Sequence, residues 1–274
     1  MKDSKQSHAP RKRFGQNFLR DTQVIHQIIS AVHPRAGESY LEIGPGLGAL
    51  TLPLLKAVGT LQVVELDRDI IPTLKASAQS QGTLIVHEAD AMKFDFHACI
   101  EPGRRLHLVG NLPYNISTPL LFHLFTQIDC IADMHFMLQK EVVDRMVAGP
   151  GNKQYGRLSV MVQYYCAVES LFDVAPESFY PAPKVNSSIV RLIPYETPPF
   201  IATDKTFFDE MVREAFNQRR KTLRNSLRAY CDEAQFAQAG INPDLRAENL
   251  SVADFVRLAN GRLTSHVPDH FIPT

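Results

Sequence analysis

Glu42-Ile43-Gly44-Pro45-Gly46-Leu47-Gly48 decides how the rest of the chain is read. It follows the short apolar run Tyr40-Leu41 and opens an apolar helical pattern over residues 49–55. That is the order strand, glycine turn, helix. A glycine turn at such a joint lets a ligand approach the backbone closely. Glu65 ends a second apolar run, Leu61-Gln62-Val63-Val64. An acid at the end of the next strand can accept both hydroxyls of a ribose. The combination points to a cofactor that contains a nucleoside.

The spacing narrows the choice. A dinucleotide fingerprint reads G-x-G-x-x-G, whereas this turn reads G-x-G-x-G. No G-x-x-x-x-G-K-[ST] occurs, and no lysine or arginine lies near the turn in sequence to meet a phosphate. S-adenosylmethionine, with a ribose and no phosphate, fits this pattern. A turn that merely tightens a strand–helix joint would explain the glycines but not Glu65 at its spacing.

The 274 residues suffice for one large domain and a small one. No apolar run approaches the ~20 residues of a membrane span, and the polar stretch Met1–Pro10 lacks the apolar core of a secretory signal. Cys99, Cys130, Cys166 and Cys231 are widely spaced, with no CxxC pair or Cys/His cluster. The expectation is therefore no metal site, and reduced thiols in a cytoplasmic, membrane-free protein. Lys and Arg number 29, as do Asp and Glu, so net charge is zero. The charge is nevertheless uneven. Arg11-Lys12-Arg13 form one basic knot; Arg219, Arg220, Lys221, Arg224 and Arg228 form another, with no acid in residues 217–228. Such patches are candidate nucleic-acid contacts.

In chain order, residues 1–10 read as a disordered tail. A helix capped by Asp21 or Thr22 ends at His33-Pro34. Strands are expected near 61–65, 83–87, 106–110 and 134–138, with helices at 69–80, 117–126, 140–147 and 157–167. Two more strands follow near 168–174 and 187–193. The alternation indicates a Rossmann-like α/β domain, a mostly parallel sheet with helices on both faces. Its ligands should bind at the carboxyl ends of the strands, where Gly44, Glu65, Asp90 and Asn111 fall. After Thr197-Pro198-Pro199 the pattern turns to helices near 204–216, 219–230, 233–239 and 251–261. The domains expected are thus 11–196 and a small α-helical domain over 200–274.

Asn111-Leu112-Pro113-Tyr114 is the second informative stretch. The exocyclic amine of adenine is a poor nucleophile, because its lone pair is delocalised into the ring. Two acceptors taking its two N–H bonds favour a pyramidal nitrogen with a freer lone pair. The side-chain oxygen of Asn111 and the carbonyl of Leu112 can be those acceptors. Pro113 holds Leu112 extended, and Tyr114 offers a stacking face worth about 1–3 kcal/mol. An adenine must be unpaired or flipped out to reach such a pocket. Phe179, on the proline-stiffened loop Phe179–Val185, reads equally well as a second stacking face or a core aromatic. Lys184 reads as a phosphate contact or a solvated lysine.

Phe14-Gly15-Gln16-Asn17-Phe18-Leu19, the glycine turn, Asn111-Leu112-Pro113-Tyr114 and Phe179-Tyr180-Pro181-Ala182-Pro183-Lys184-Val185 together resemble the ribosomal RNA adenine N6,N6-dimethyltransferases, most closely the bacterial small-subunit branch associated with kasugamycin sensitivity. The resemblance runs from about residue 11 to the last helices. It implies a monomer that dimethylates two nearby adenosines in a loop near the 3′ end of 16S rRNA, within an assembling small ribosomal subunit. It also implies cofactor contacts at Asn17, Leu19, Gly44, Gly46, Glu65, Asp90 and Asn111: Glu65 on the ribose, Asp90 on the adenine amine, Asn17 and Leu19 closing over. Catalytic contacts are expected at Asn111, Leu112, Pro113, Tyr114 and Phe179. The helical domain is expected to face RNA, and RNA contacts are expected at Arg11, Lys12, Arg13, Lys184, Arg219, Arg220, Lys221 and Arg224. The macrolide-resistance methylases of large-subunit RNA share two of these motifs, and an RNA-binding assembly factor is the non-enzymatic alternative.

Overall fold

A computed structural model describes residues 16–218 and 220–264. The tail over 1–10 and the basic knot Arg11-Lys12-Arg13 lie outside the described residues. The chain begins with β1 (Phe18–Leu19), α1 (Thr22–Val32), β2 (Ser39–Ile43), α2 (Thr51–Val58), β3 (Thr60–Glu65), α3 (Ile71–Ala78) and β4 (Thr83–Glu88). Then come β5 (Leu106–Asn111), α4 (Ser117–Phe125), β6 (Ile131–Gln139), α5 (Lys140–Val147), α6 (Arg157–Tyr165), β7 (Cys166–Val174), β8 (Phe179–Tyr180) and β9 (Ser187–Pro194). The remainder is helical: α7 (Lys205–Asn217), α8 (Leu223–Ser226), α9 (Glu233–Ala239) and α10 (Val252–Thr264).

Seven strands form one sheet in the order β4-β3-β2-β5-β6-β9-β7. The first five pair in parallel, and β9 runs antiparallel to β6. The central strands are buried on both faces, which is why Leu41, Ile43, Val63, Val64, Leu108 and Val109 form near-continuous apolar runs rather than alternating ones. Chain order reverses between β2 and β5. Loops leaving the carboxyl ends of these two strands diverge there and open a crevice.

The same two strands approach unusually closely. Gly110 on β5 faces β2, and a Cβ at this position would lie 2.7 Å from the carbonyl oxygen of Ile43. β1 and β8 form a separate two-stranded antiparallel ribbon, Phe18 opposite Tyr180 and Leu19 opposite Phe179. Asp21 caps α1, its carboxylate accepting from the N–H groups of Gln23 and Val24 at 2.9 and 3.3 Å.

The chain divides into two compact units, 1–143 with 168–194, and 144–167 with 195–274. The second differs from the expected helical domain by taking in residues 144–167. Within this unit Arg157 of α6 pairs with Asp209 of α7 at 2.9 Å, and the Tyr164 ring packs on Phe208. The apolar and ionic partners of α6 thus come from helices much later in the sequence. The expected helix over 219–230 is also shorter: only Leu223–Ser226 is helical. The N–H groups of Leu223 and Arg224 donate to the carbonyls of Leu245 and Pro243 at 2.8 and 2.9 Å, outside any helical ladder.

Gly110→Ala is expected to force β2 and β5 apart, destabilising the protein by about 1–3 kcal/mol through overpacking. Urea unfolding measures this directly; an unaltered midpoint would mean the strands can separate freely.

Candidate active site

A cavity of about 850 Å3 opens at the β2/β5 crossover. Its walls come from 16–20, the glycine turn and the start of α2, the ends of β3 and β4, and 111–116. The glycine turn forms its floor. Gly44, Gly46 and Gly48 have φ of 68°, 54° and 92°, a region that favours glycine over any residue with a Cβ. Space demands it as well: a Cβ on Gly46 would lie 3.3 Å from the Phe18 ring, and one on Gly48 3.0 Å from Leu74.

Two carboxyl groups meet beneath this turn. Glu42 is buried and accepts a 2.6 Å hydrogen bond from the Thr51 hydroxyl. Burial pushes its pKa from 4.5 up to about 8, against the Thr51 bond and with help from the charge of Glu65. Glu65, at the end of β3, is likewise raised by burial, while the N–H groups of Asp67, Gly46 and Leu66 oppose the shift. The Asp67 bond is 2.7 Å long. Both acids line the cavity, as does Asp90 just past β4, whose Oδ1 accepts from the Met92 N–H at 3.0 Å.

The opposite wall is Asn111-Leu112-Pro113-Tyr114. Asn111 Nδ2 donates to the carbonyl of Asn17 at 3.0 Å, which fixes the amide and leaves Oδ1 as an acceptor. The Leu112 N–H donates to the Met137 carbonyl at 3.2 Å. Among the described residues no hydrogen bond reaches the Leu112 carbonyl. Two adjacent acceptors without donors therefore border the cavity. The Tyr114 hydroxyl is tied to Ser187 Oγ at 2.8 Å, and burial raises its pKa.

The structure thus brings Asn17, Leu19, Gly44, Gly46, Glu65, Asp90, Asn111, Leu112, Pro113 and Tyr114 to one cavity. Phe179 is not on its wall. It is only 5% exposed and packs in the core cluster with Phe18, Leu19 and Ile189, because the β8 alternation turns Phe179 inward and Tyr180 outward. Of the basic residues, Lys184, Arg220 and Lys221 are exposed. Arg224 is held by Glu233 and, at 3.2 Å, by Asp244. Arg219, like Arg11, Lys12 and Arg13, lies outside the described residues. Glu42, Thr51, Leu66 and Ser187 join the site without having been singled out. Leu66 is 51% exposed at the cavity directly after Glu65, a signal the sequence does carry. Ser187 reaches Tyr114 across 73 residues, with no local signal. Among the described residues no group of three His, Cys, Asp or Glu is arranged to hold a metal, and no helix is long and apolar enough to cross a membrane.

A sequence profile described as "Ribosomal RNA adenine dimethylase" matches residues 7–262. The chain belongs to the ribosomal RNA adenine dimethylase family. Among dimethylase relatives, a protein of Chromohalobacter salexigens named ribosomal RNA small subunit methyltransferase A is 55% identical over 93% of this chain and 92% of its own. A protein of the same name from Pseudomonas aeruginosa is 55% identical, covering 92% and 94%. A crystal structure of a dimethyladenosine transferase from Plasmodium falciparum superposes with a TM-score of 0.73 at 28% identity, over 88% of this chain and 95% of that one. The 23S rRNA methyltransferase ErmE, at 24% identity and a TM-score of 0.70 over 89% and 99%, shares the fold.

Because the folded pKa of Glu42 is raised, its protonated form favours the folded state. That contribution is full below the ordinary carboxylate value of 4.5 and is lost as pH climbs through about 8. Glu42→Gln mimics the protonated acid. Wild-type protein should therefore lose stability relative to Glu42→Gln between about pH 5 and 8. Urea midpoints across that range test this, and a constant difference would refute it.

Proposed function

We propose that this protein transfers methyl groups from S-adenosylmethionine to the N6 atoms of two neighbouring adenosines in a loop near the 3′ end of 16S rRNA, on an assembling small ribosomal subunit. The observation that carries the reading is the pair of donor-free acceptors, Asn111 Oδ1 and the Leu112 carbonyl, on two residues that line the cavity, as Glu65 does. The donor set fits the cofactor. A buried carboxylate at a strand end suits a ribose diol, the glycine turn allows close backbone approach, and Leu66 offers an apolar edge for an adenine. Asp90 takes the cofactor's adenine amine, and Asn17 and Leu19 cover the site.

The cofactor supplies an electrophilic sulfonium methyl. The chain's own residues position the nucleophile. Asn111 Oδ1 and the Leu112 carbonyl accept the two N–H bonds of the target amine and direct its lone pair towards the methyl. Tyr114, braced by Ser187, stacks on the target base. Phe179 supports the ribbon from beneath. Catalysis is then mostly positioning and preorganised electrostatics. The raised acids of the floor favour a cationic ligand, since a positive charge beside them offsets their desolvation. Lys184, Arg220 and Lys221 supply phosphate contacts, with Arg11, Lys12, Arg13 and Arg219 as further basic contacts, while Arg224 braces its surroundings through Glu233 and Asp244. The protein works as a monomer in the cytoplasm, where its four buried cysteines, none of them in a disulfide, stay reduced.

The decisive test offers labelled S-adenosylmethionine with unmethylated small subunits, large-subunit RNA or free adenosine, followed by mass analysis of nucleosides. Dimethyladenosine from small subunits alone is expected; label in large-subunit RNA would change the substrate. Asn111→Ala should reduce turnover by about 10²–10³-fold while cofactor binding remains measurable, and near-normal turnover would remove the acceptor mechanism. Glu65→Ala should weaken cofactor binding about 10- to 150-fold, the worth of a hydrogen bond to a charged group. Unaltered affinity by calorimetry would take Glu65 out of the site.

A further inference from the structure

Arg20 and Tyr180 form a pair that the chemistry above leaves unused. The guanidinium carbon of Arg20 lies 4.0 Å from the centre of the Tyr180 ring. Arg20 lines the cavity, and Tyr180 is 51% exposed. The ribbon dictates both positions. Phe18, Leu19 and Phe179 are buried in the core, so the next residue on β8 faces solvent. The Arg20 N–H donates to the Ser178 carbonyl at 2.8 Å, which anchors its backbone.

Among the described residues the charge of Arg20 has no acid to answer it. Asp21, its neighbour, is committed to the N–H groups of Gln23 and Val24 and to the Ser178 hydroxyl. Among the described residues no carboxylate pairs with Arg20. A guanidinium over an aromatic ring keeps N–H groups to donate, and its planar fork suits phosphate oxygens. The tyrosine keeps about half its surface open. A base flipped into the cavity brings the phosphate and base of its neighbour to the rim, where this cation and this aromatic ring stand together.

We propose that Arg20 and Tyr180 form a subsite for the nucleotide adjacent to the target adenosine, Arg20 binding its phosphate and Tyr180 stacking on its base. The subsite rests on the RNA-methylating function proposed above. It acts equally on bound substrate and transition state, so it sets KM rather than kcat.

The test uses the full chain with unmethylated small subunits as substrate, and the variants Tyr180→Ala, Tyr180→Phe, Arg20→Ala and Arg20→Lys. Tyr180→Ala should raise KM by about 5- to 150-fold, the range for stacking a base on an aromatic side chain, with kcat within about twofold. Tyr180→Phe should restore KM. Arg20→Ala should lower the slope of log affinity against log salt by about one, and Arg20→Lys should preserve it. Calorimetric affinity for S-adenosylmethionine, similar in all variants, verifies folding. Active wild-type enzyme with KM and salt slope unaltered in both alanine variants overturns the subsite alone. Wild-type protein that methylates no RNA overturns the functional reading, and the subsite with it.

Discussion

No side chain fits between Gly110 and the carbonyl of Ile43, where an added Cβ would lie 2.7 Å from the oxygen. That contact holds β5 against β2 at the point where chain order reverses. It places Asn111, the next residue, beside the turn that begins at Gly44. The acceptor pair of Asn111 and Leu112 and the acids beneath the glycine turn therefore belong to one cavity rather than to two strand ends. The site's precision comes from backbone packing, since the groups that carry it are a strand-end amide, a main-chain carbonyl and a glycine turn.

The electrostatic character of the cavity follows from the same packing. Glu42 and Glu65 descend from adjacent strands into a water-poor floor, and desolvation is the largest influence on both. Thr51 and the backbone N–H groups around Glu65 oppose it without cancelling it. A positive charge placed beside such buried acids would offset part of their lost solvation.

Much of this was legible in the sequence, where chemistry and spacing are local. The glycine turn, the acid ending the next strand and Asn111-Leu112-Pro113-Tyr114 each lie within a few residues of the elements that position them, and the cavity gathers them as expected. Reading failed where the partner is distant. Phe179 offered two roles, and only its pairing with Leu19 across the ribbon turns it into the core. Residues 219–230 read as one helix, yet the carbonyls of Leu245 and Pro243 claim the N–H groups of Leu223 and Arg224 and cut the helix to one turn. Arg224 resembled a free cation until Asp244 and Glu233 came beside it. Residues 144–167 read as part of the sheet domain, and only α7 and its aromatic rings draw them into the other unit.

The ribbon that joins the two ends of the first unit also imposes a schedule. β1 is among the first described segments to be synthesised, but its partner β8 is made far later; the Asp21–Ser178 bond alone spans 157 residues. During translation the glycine turn and both acids emerge long before β8, the strand that pairs with β1, is made. The residues that line the cavity, all between 16 and 116, are thus made before the strand that braces their ribbon. Bracing from Ser178, Phe179 and Ser187 is the last support that the pocket receives.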